Sequence, residues 1–184
     1  MSSAKGSRSK STAKKAGRAA VESKPTPMLA VRAGDVTFHD MSRDEIEAML
    51  LRNRVGRLAY SVHDRVDIEP IHYVYKRGWL YGRTSEGAKT TALKHNQWVA
   101  FEVDEVTDLF EWRSIVIHGS FWIMHPRGSP HAEELWAKAA ELMGEIVPGA
   151  LTESDPVEFR QTLFRIAVSD VRGREAKTRK LRAE

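Results

Sequence analysis

The chain has 184 residues, enough for one ordinary domain with a buried core, and no cysteine, which excludes disulfides, thiol catalysis, iron–sulfur clusters and cysteine-ligated zinc. Its net charge of +4 is uneven: residues 1–27 carry seven Lys/Arg against one acid and residues 172–184 six against two, so the stretch between them is acidic. No apolar run approaches the ~18 residues that span a bilayer and no signal-peptide stretch opens the chain, so a soluble cytoplasmic protein is expected, without a membrane partner.

Residues 1–27, MSSAKGSRSKSTAKKAGRAAVESKPTP, offer almost nothing to bury and read as a disordered basic tail. A solvated extension, a contact with nucleic acid or an anionic surface, and a processing segment all suit that composition. With no aromatic residue to stack on a base, the tail is not expected to read a nucleic-acid sequence. One domain is assigned to residues 28–175, with folding from near Val36, and a second basic tail to residues 176–184.

The domain opens with a helix in DMSRDEIEAMLLRNR, announced by the capping pair Ser42 and Glu45 and an apolar face of Ile46, Met49 and Leu50. The period then changes to two, and strands are predicted at 57–62, 67–75, 79–83, 97–104, 114–124 and 163–171. HDR near 64 and KRG at 76–78 read as tight turns, which makes the first three strands consecutive hairpins. A short helix starts near Ala88, an amphipathic one covers 130–146, ALTESDP reads as loop, and the acidic EVDEVTDLFE reads as a solvated strand face and loop. In 114–124, Ile115, Ile117, Phe121 and Ile123 face one way, and Val116, His118 and Trp122 the other. Six largely antiparallel strands with flanking helices point to a small barrel, although an open sandwich has the same alternation.

Between the third strand and the second helix lies GRTSEGAKTT. A helix start exposes unpaired amides and the positive end of the helix dipole. Ser85 is suited to cap it, Gly87 to let a ligand approach the backbone, and Arg83 and Lys89 add full charges. These are the ingredients of a phosphate monoester site. They are equally those of an ordinary Ser-capped helix with surface Arg and Lys. The spacing matches neither a Walker loop nor a dinucleotide fingerprint.

Taken in order, GRLAYSV, IEPIHYVYKRGWLYGRTSEGAKTTALKHNQWVAFEVDE and WRSIVIHGSFWIM resemble the FMN-binding split-barrel family that includes the pyridoxamine 5′-phosphate oxidase-like proteins. Within it the likeness is greatest to the nitroimidazole-resistance reductases, over about residues 36–175. The resemblance implies a six-stranded antiparallel split β-barrel and a homodimer with FMN at the subunit interface. By the same resemblance, Arg83, Thr84, Ser85 and Lys89 bind the flavin phosphate, and Pro70, Ile71, His72 and Tyr73 run along the isoalloxazine ring. Trp112, Arg113 and Ser114 fall near the subunit interface, and VSDVRGREA resembles the family's closing strand. The C-terminal Trp and Arg substrate motif of the biosynthetic oxidase is absent, which argues against pyridoxamine phosphate as substrate.

The seven histidines show no compact metal-ligand spacing, so no metal site is assigned. His72 is the candidate proton donor beside the ring, and equally a hydrogen-bonded rim residue. The leading expectation is an FMN-dependent oxidoreductase taking electrons from NAD(P)H to a small oxidised molecule. Deazaflavin and FAD remain alternative cofactors. A haem-binding or haem-degrading protein on the same fold, with His72, His118 or His125 as ligand, is a second reading. A non-enzymatic anion or nucleic-acid binder using the basic ends is a third.

Overall fold

In the computed structural model, which describes residues 35–179, seven strands and three helices follow one another. They are β1 (Val36–Asp40), α1 (Arg43–Arg52), β2 (Val55–Val62), β3 (Arg65–Lys76), β4 (Trp79–Thr84), α2 (Ala88–His95), β5 (Trp98–Asp108), β6 (Glu111–Ile123), α3 (Pro130–Ile146) and β7 (Thr162–Thr178). The basic stretch 1–27 and residues 180–184 lie outside the described residues. No helix among the described residues is long and apolar enough to cross a membrane.

The two tight turns fall where the sequence places them. His63 and Asp64 both have positive φ (46° and 63°), as do Arg77 and Gly78 (49° and 79°). Two successive residues of this kind give the hairpin turn whose twist matches that of the flanking strands. Antiparallel pairing then runs β4–β3–β2–β5–β6, and β7 closes the ring. Its first residues pair with β4 (Thr84↔Thr162 to Trp79↔Ala167), while β6 follows it from Ile123↔Phe164 to Trp112↔Ala176. A strand that bonds both open edges turns a sheet into a barrel, so the closed alternative holds over the sandwich.

Three boundaries differ from expectation. A seventh strand, β1, pairs with residues 174–178 of β7. β7 itself continues to Thr178 and buries Ala176, so residues 176–178 belong to the domain rather than to a tail. The loop expected after Asp104 is short: β5 runs on to Asp108 and β6 starts at Glu111, forming a long hairpin.

Leu58, Ile71, Tyr73, Leu80, Phe101, Ile115, Ile117 and Phe164 fill the barrel, and α1 adds Ile46, Met49 and Leu50. A second cluster lies outside the ring, where Ala139, Leu142 and Met143 of α3 cover Val74, Tyr81 and Leu163. β4 is therefore enclosed on both faces. The β6–β7 seam is tightest at Gly119, where a Cβ would stand 2.2 Å from the carbonyl oxygen of Ala167. The register shifts there, with Gly119 opposite Val168 and His118 opposite Asp170. The outer face of the sheet keeps an apolar surface: Val66, Ile68, Trp98, Val116 and Trp122 are all exposed.

Candidate functional site

β4 delivers its last residues to the rim of the barrel, and α2 begins four residues later. The N-cap of α2 is Gly87, not Ser85. Thr90 Oγ1 accepts from the Gly87 amide (3.0 Å) and donates to the Gly87 carbonyl (2.9 Å), and no side chain caps the helix start. Ser85 makes no side-chain hydrogen bond among the described residues. Its hydroxyl and the positive end of α2 are thus both left for a ligand.

Lys89 is the second residue of α2, within its first turn. Its side chain is only 11% exposed, and its Nζ lies 2.6 Å from Glu69 Oε2 on β3. The other oxygen of Glu69 accepts from Tyr60 Oη at 2.6 Å. Burial opposes ionisation of Glu69, but the hydrogen bonds from Lys89 and Tyr60 outweigh it and hold the carboxyl below its ordinary value. Burial, reinforced by Glu69, pushes the Tyr60 phenol upward, so it remains a donor.

Arg83 departs from expectation. Its guanidinium does not stand at the helix mouth but lies buried, in a two-pronged pair with Asp155 (Nη2 to Oδ1, 3.0 Å). Asp155 also accepts from the amides of Leu151 (2.7 Å) and Val157 (2.8 Å). The Arg83 contact, helped by these amides, holds the Asp155 carboxyl well below the usual range despite burial. The reason is topological. With both faces of β4 covered, a charge at this position needs an internal partner. Arg83 therefore pins the loop before β7 to the strand end that carries Thr84, whose own side chain is buried, and Ser85.

The β3 residues divide by the period of the strand. Pro70 and His72 point outward and are exposed, and His72 pairs opposite Val55 on β2. Ile71 and Tyr73 point into the core, Tyr73 Oη donating to the Leu50 carbonyl at 3.1 Å. A ligand along β3 meets the backbone of these two, not their side chains. Residues 69–72 and 84–89 are brought together by the Lys89–Glu69 contact. Trp112 and Ser114 are not: they sit near the start of β6, while the rim at Thr84 corresponds to its end, roughly 30 Å of strand away. There Trp112 packs on Phe38 (ring centroids 6.1 Å apart) and Ser114 Oγ donates to Glu102 (3.1 Å).

Sequence reasoning missed Glu69, Tyr60, Asp155 and Arg160. Arg160 makes no ion pair among the described residues, its guanidinium is 5.9 Å from the Phe159 ring centroid, and its charge helps to lower the Glu69 pKa. No local pattern in ALTESDP singles out Asp155.

A family model described as pyridoxamine 5′-phosphate oxidase matches residues 42–175, which takes in β2 to β6 and all but the last three residues of β7. The chain belongs to that family. Its fold is shared with an FAD-binding protein from Mesorhizobium loti, 26% identical, with a TM-score of 0.61 over 76% of this chain and 99% of that one. A candidate 5-nitroimidazole antibiotic resistance protein of Bacteroides thetaiotaomicron shares the fold at 15% identity, with a TM-score of 0.57 over 77% and 89% of the two chains. The haem storage protein HutZ of Vibrio cholerae does so at 18%, with a TM-score of 0.56 over 74% and 93%. An uncharacterized protein of Rhizobium meliloti (strain 1021) is 27% identical over 97 residues, which are 53% of this chain and 64% of that protein. The match thus spans less than two thirds of this curated relative.

Proposed function

We propose that the chain binds a flavin nucleotide and acts as an oxidoreductase, as a homodimer with flavin at the seam. The observation that carries this reading is the largely enclosed Lys89, paired with Glu69, beside the uncapped start of α2 and the free hydroxyl of Ser85. Phosphate monoesters are matched by such a set: backbone amides, one hydroxyl and one full positive charge. Ser85 and Lys89 would hold the phosphate, Thr84 contributing through its backbone, with Arg83 fixing the segment from within. The outward edge of β3, Pro70 and His72 together with the backbone at Ile71 and Tyr73, would lie along the isoalloxazine ring.

A bound flavin supplies the hydride or electron transfer, so the protein need only bind, orient and exclude water. His72, exposed and without a side-chain hydrogen bond among the described residues, would deliver a proton to substrate at the ring edge. NAD(P)H as donor and a small oxidised molecule as acceptor complete the reading. FMN and FAD present the same first phosphate, and the Mesorhizobium loti relative, described as FAD-binding, puts FAD beside FMN.

The homodimer rests on the outer sheet face. A single barrel has one interior, yet Val66, Ile68, Trp98, Val116 and Trp122 remain apolar and exposed outside it. A second copy would cover them symmetrically. It would also bring Trp112 and Ser114 of the partner subunit toward the ring, which their distance within one chain prevents.

An absorbance spectrum and a fluorescence titration test this. Flavin absorbs near ~450 nm, whereas haem gives a Soret band. Lys89→Ala should weaken FMN binding by about 1.5–3 kcal/mol, the scale of a charge-assisted hydrogen bond. A haem spectrum, or affinity unchanged in the variant, overturns the assignment.

A further inference from the structure

Positive charge is concentrated at the two ends of the chain. Residues 1–34 hold eight Lys/Arg against Glu22, and residues 177–184 hold four against Glu184, while the stretch between them has a net charge of −6. Along β7 the cations have acids at hand: Arg172 Nε lies 3.3 Å from Asp170, Arg174 Nε 3.6 Å from Asp40 and Lys177 Nζ 2.5 Å from Glu175. The run from Lys5 to Lys24 has no such balance, with seven cations and one acid. A solvated protein surface mixes its signs. A block of like charges repels itself, and that repulsion is relieved when a counter-charge binds.

The fold attaches both ends to one corner. β1 and β7 run antiparallel with Val36 opposite Thr178, and the Arg179 amide donates to the Asp35 carbonyl at 2.6 Å. Residues 1–34 join the described chain at Asp35 and residues 180–184 leave it at Arg179, so hydrogen-bonded neighbours carry the two basic stretches. A single polyanion can engage both, because the barrel has already brought their points of attachment together.

We infer that the two ends form a binding element for duplex nucleic acid, independent of its base sequence. A duplex carries one charge per ~1.7 Å of its axis, and cations that neutralise phosphates gain by releasing the counterions condensed on it. Residues 1–27 contain no Phe, Trp or Tyr, so they have no ring to stack on an unpaired base, and a single strand offers them less than a duplex. An anionic membrane also fits less well: stable attachment takes an apolar anchor besides the basic charges, and residues 1–27 have no Leu, Ile, Phe or Trp. The inference stands apart from the flavin reading, and neither depends on the other.

The test is fluorescence anisotropy of the full chain on two labelled ~25-base-pair duplexes of unrelated sequence, titrated between ~50 and ~200 mM salt. With about six cations meeting phosphates, log K should fall against log salt with a slope of about −5, roughly a thousandfold loss over that range. Lys5→Gln, Lys10→Gln, Lys14→Gln and Lys15→Gln combined in the full chain should flatten the slope by about 3, and Lys180→Gln with Arg182→Gln by about 1–2. A thermal midpoint equal to that of wild type establishes that the domain is intact in both variants. No binding at ~50 mM salt, or a slope shallower than about −1, overturns the inference. A slope untouched by the C-terminal pair also overturns it, since the ends then do not act together. So does a preference above about tenfold for one duplex, which would mean base readout. Tighter binding to phosphatidylcholine vesicles with ~30% phosphatidylserine than to either duplex overturns it in favour of a membrane.

Discussion

Lys89 has a partner already, and any anion must compete with it. Replacing Glu69 with Gln keeps an oxygen for the Tyr60 hydroxyl but removes the charge that engages Lys89 at 2.6 Å. A phosphate oxygen bonded to the free side of Nζ would stand roughly 5 Å from that carboxylate. Two unit charges so placed repel by about 3 kcal/mol at an effective dielectric constant of 20. The Glu69 side chain is 41% exposed, so solvent screening reduces this to about 1–2 kcal/mol. Because Glu69 is held below its ordinary pKa, the repulsion is present in full at neutral pH. Glu69→Gln should therefore tighten FMN binding by roughly 5–30-fold at low salt, with a smaller gain at high salt. Fluorescence titration at two ionic strengths measures both. Unchanged or weaker binding would mean that Glu69 positions Lys89 for the ligand rather than competing for it, and the electrostatic argument would fail.

Gly119→Ala should cost about 2–3 kcal/mol in urea unfolding, because the clash is with the Ala167 backbone and not with a side chain that can turn away. A loss under ~1 kcal/mol would show that β7 can retreat. Asp155 has a depressed folded-state pKa, so its stabilisation is present above the ordinary carboxylate range and is lost as pH falls below it. Asp155→Asn should be less stable than wild type at neutral pH, with a flatter acid limb; parallel acid limbs would contradict this. Trp122→Asp should lower dimer affinity and flavin occupancy together, read by sedimentation and flavin absorbance, since a ligand held by two subunits stabilises their assembly. A monomeric wild type with full flavin refutes it.

What could be read from the sequence was whatever short-range periodicity encodes. Alternation located the six ring strands, and HD and RG placed the first two hairpins, while the closure of the ring was left open by periodicity. It failed for β1 and the end of β7 because VTFHD and GREAKT are mixed and polar: they pair at the margin of the ring, and what they bury includes the charged Glu175 beside Gly173 and Ala176. The same alternation already separates Pro70 and His72 from Ile71 and Tyr73, so the inward pair could have been withheld from a ligand-facing role without a structure. Arg83 is harder. Its partner is 72 residues away, and no local pattern carries such a distance. One signal was nevertheless present. WLYGRT contains a single charge in a strand otherwise fit for burial on both faces. In a strand so enclosed, a lone arginine is either at the very rim or paired inside, and the structure takes the second course. That choice leaves Lys89 as the full charge beside the start of α2.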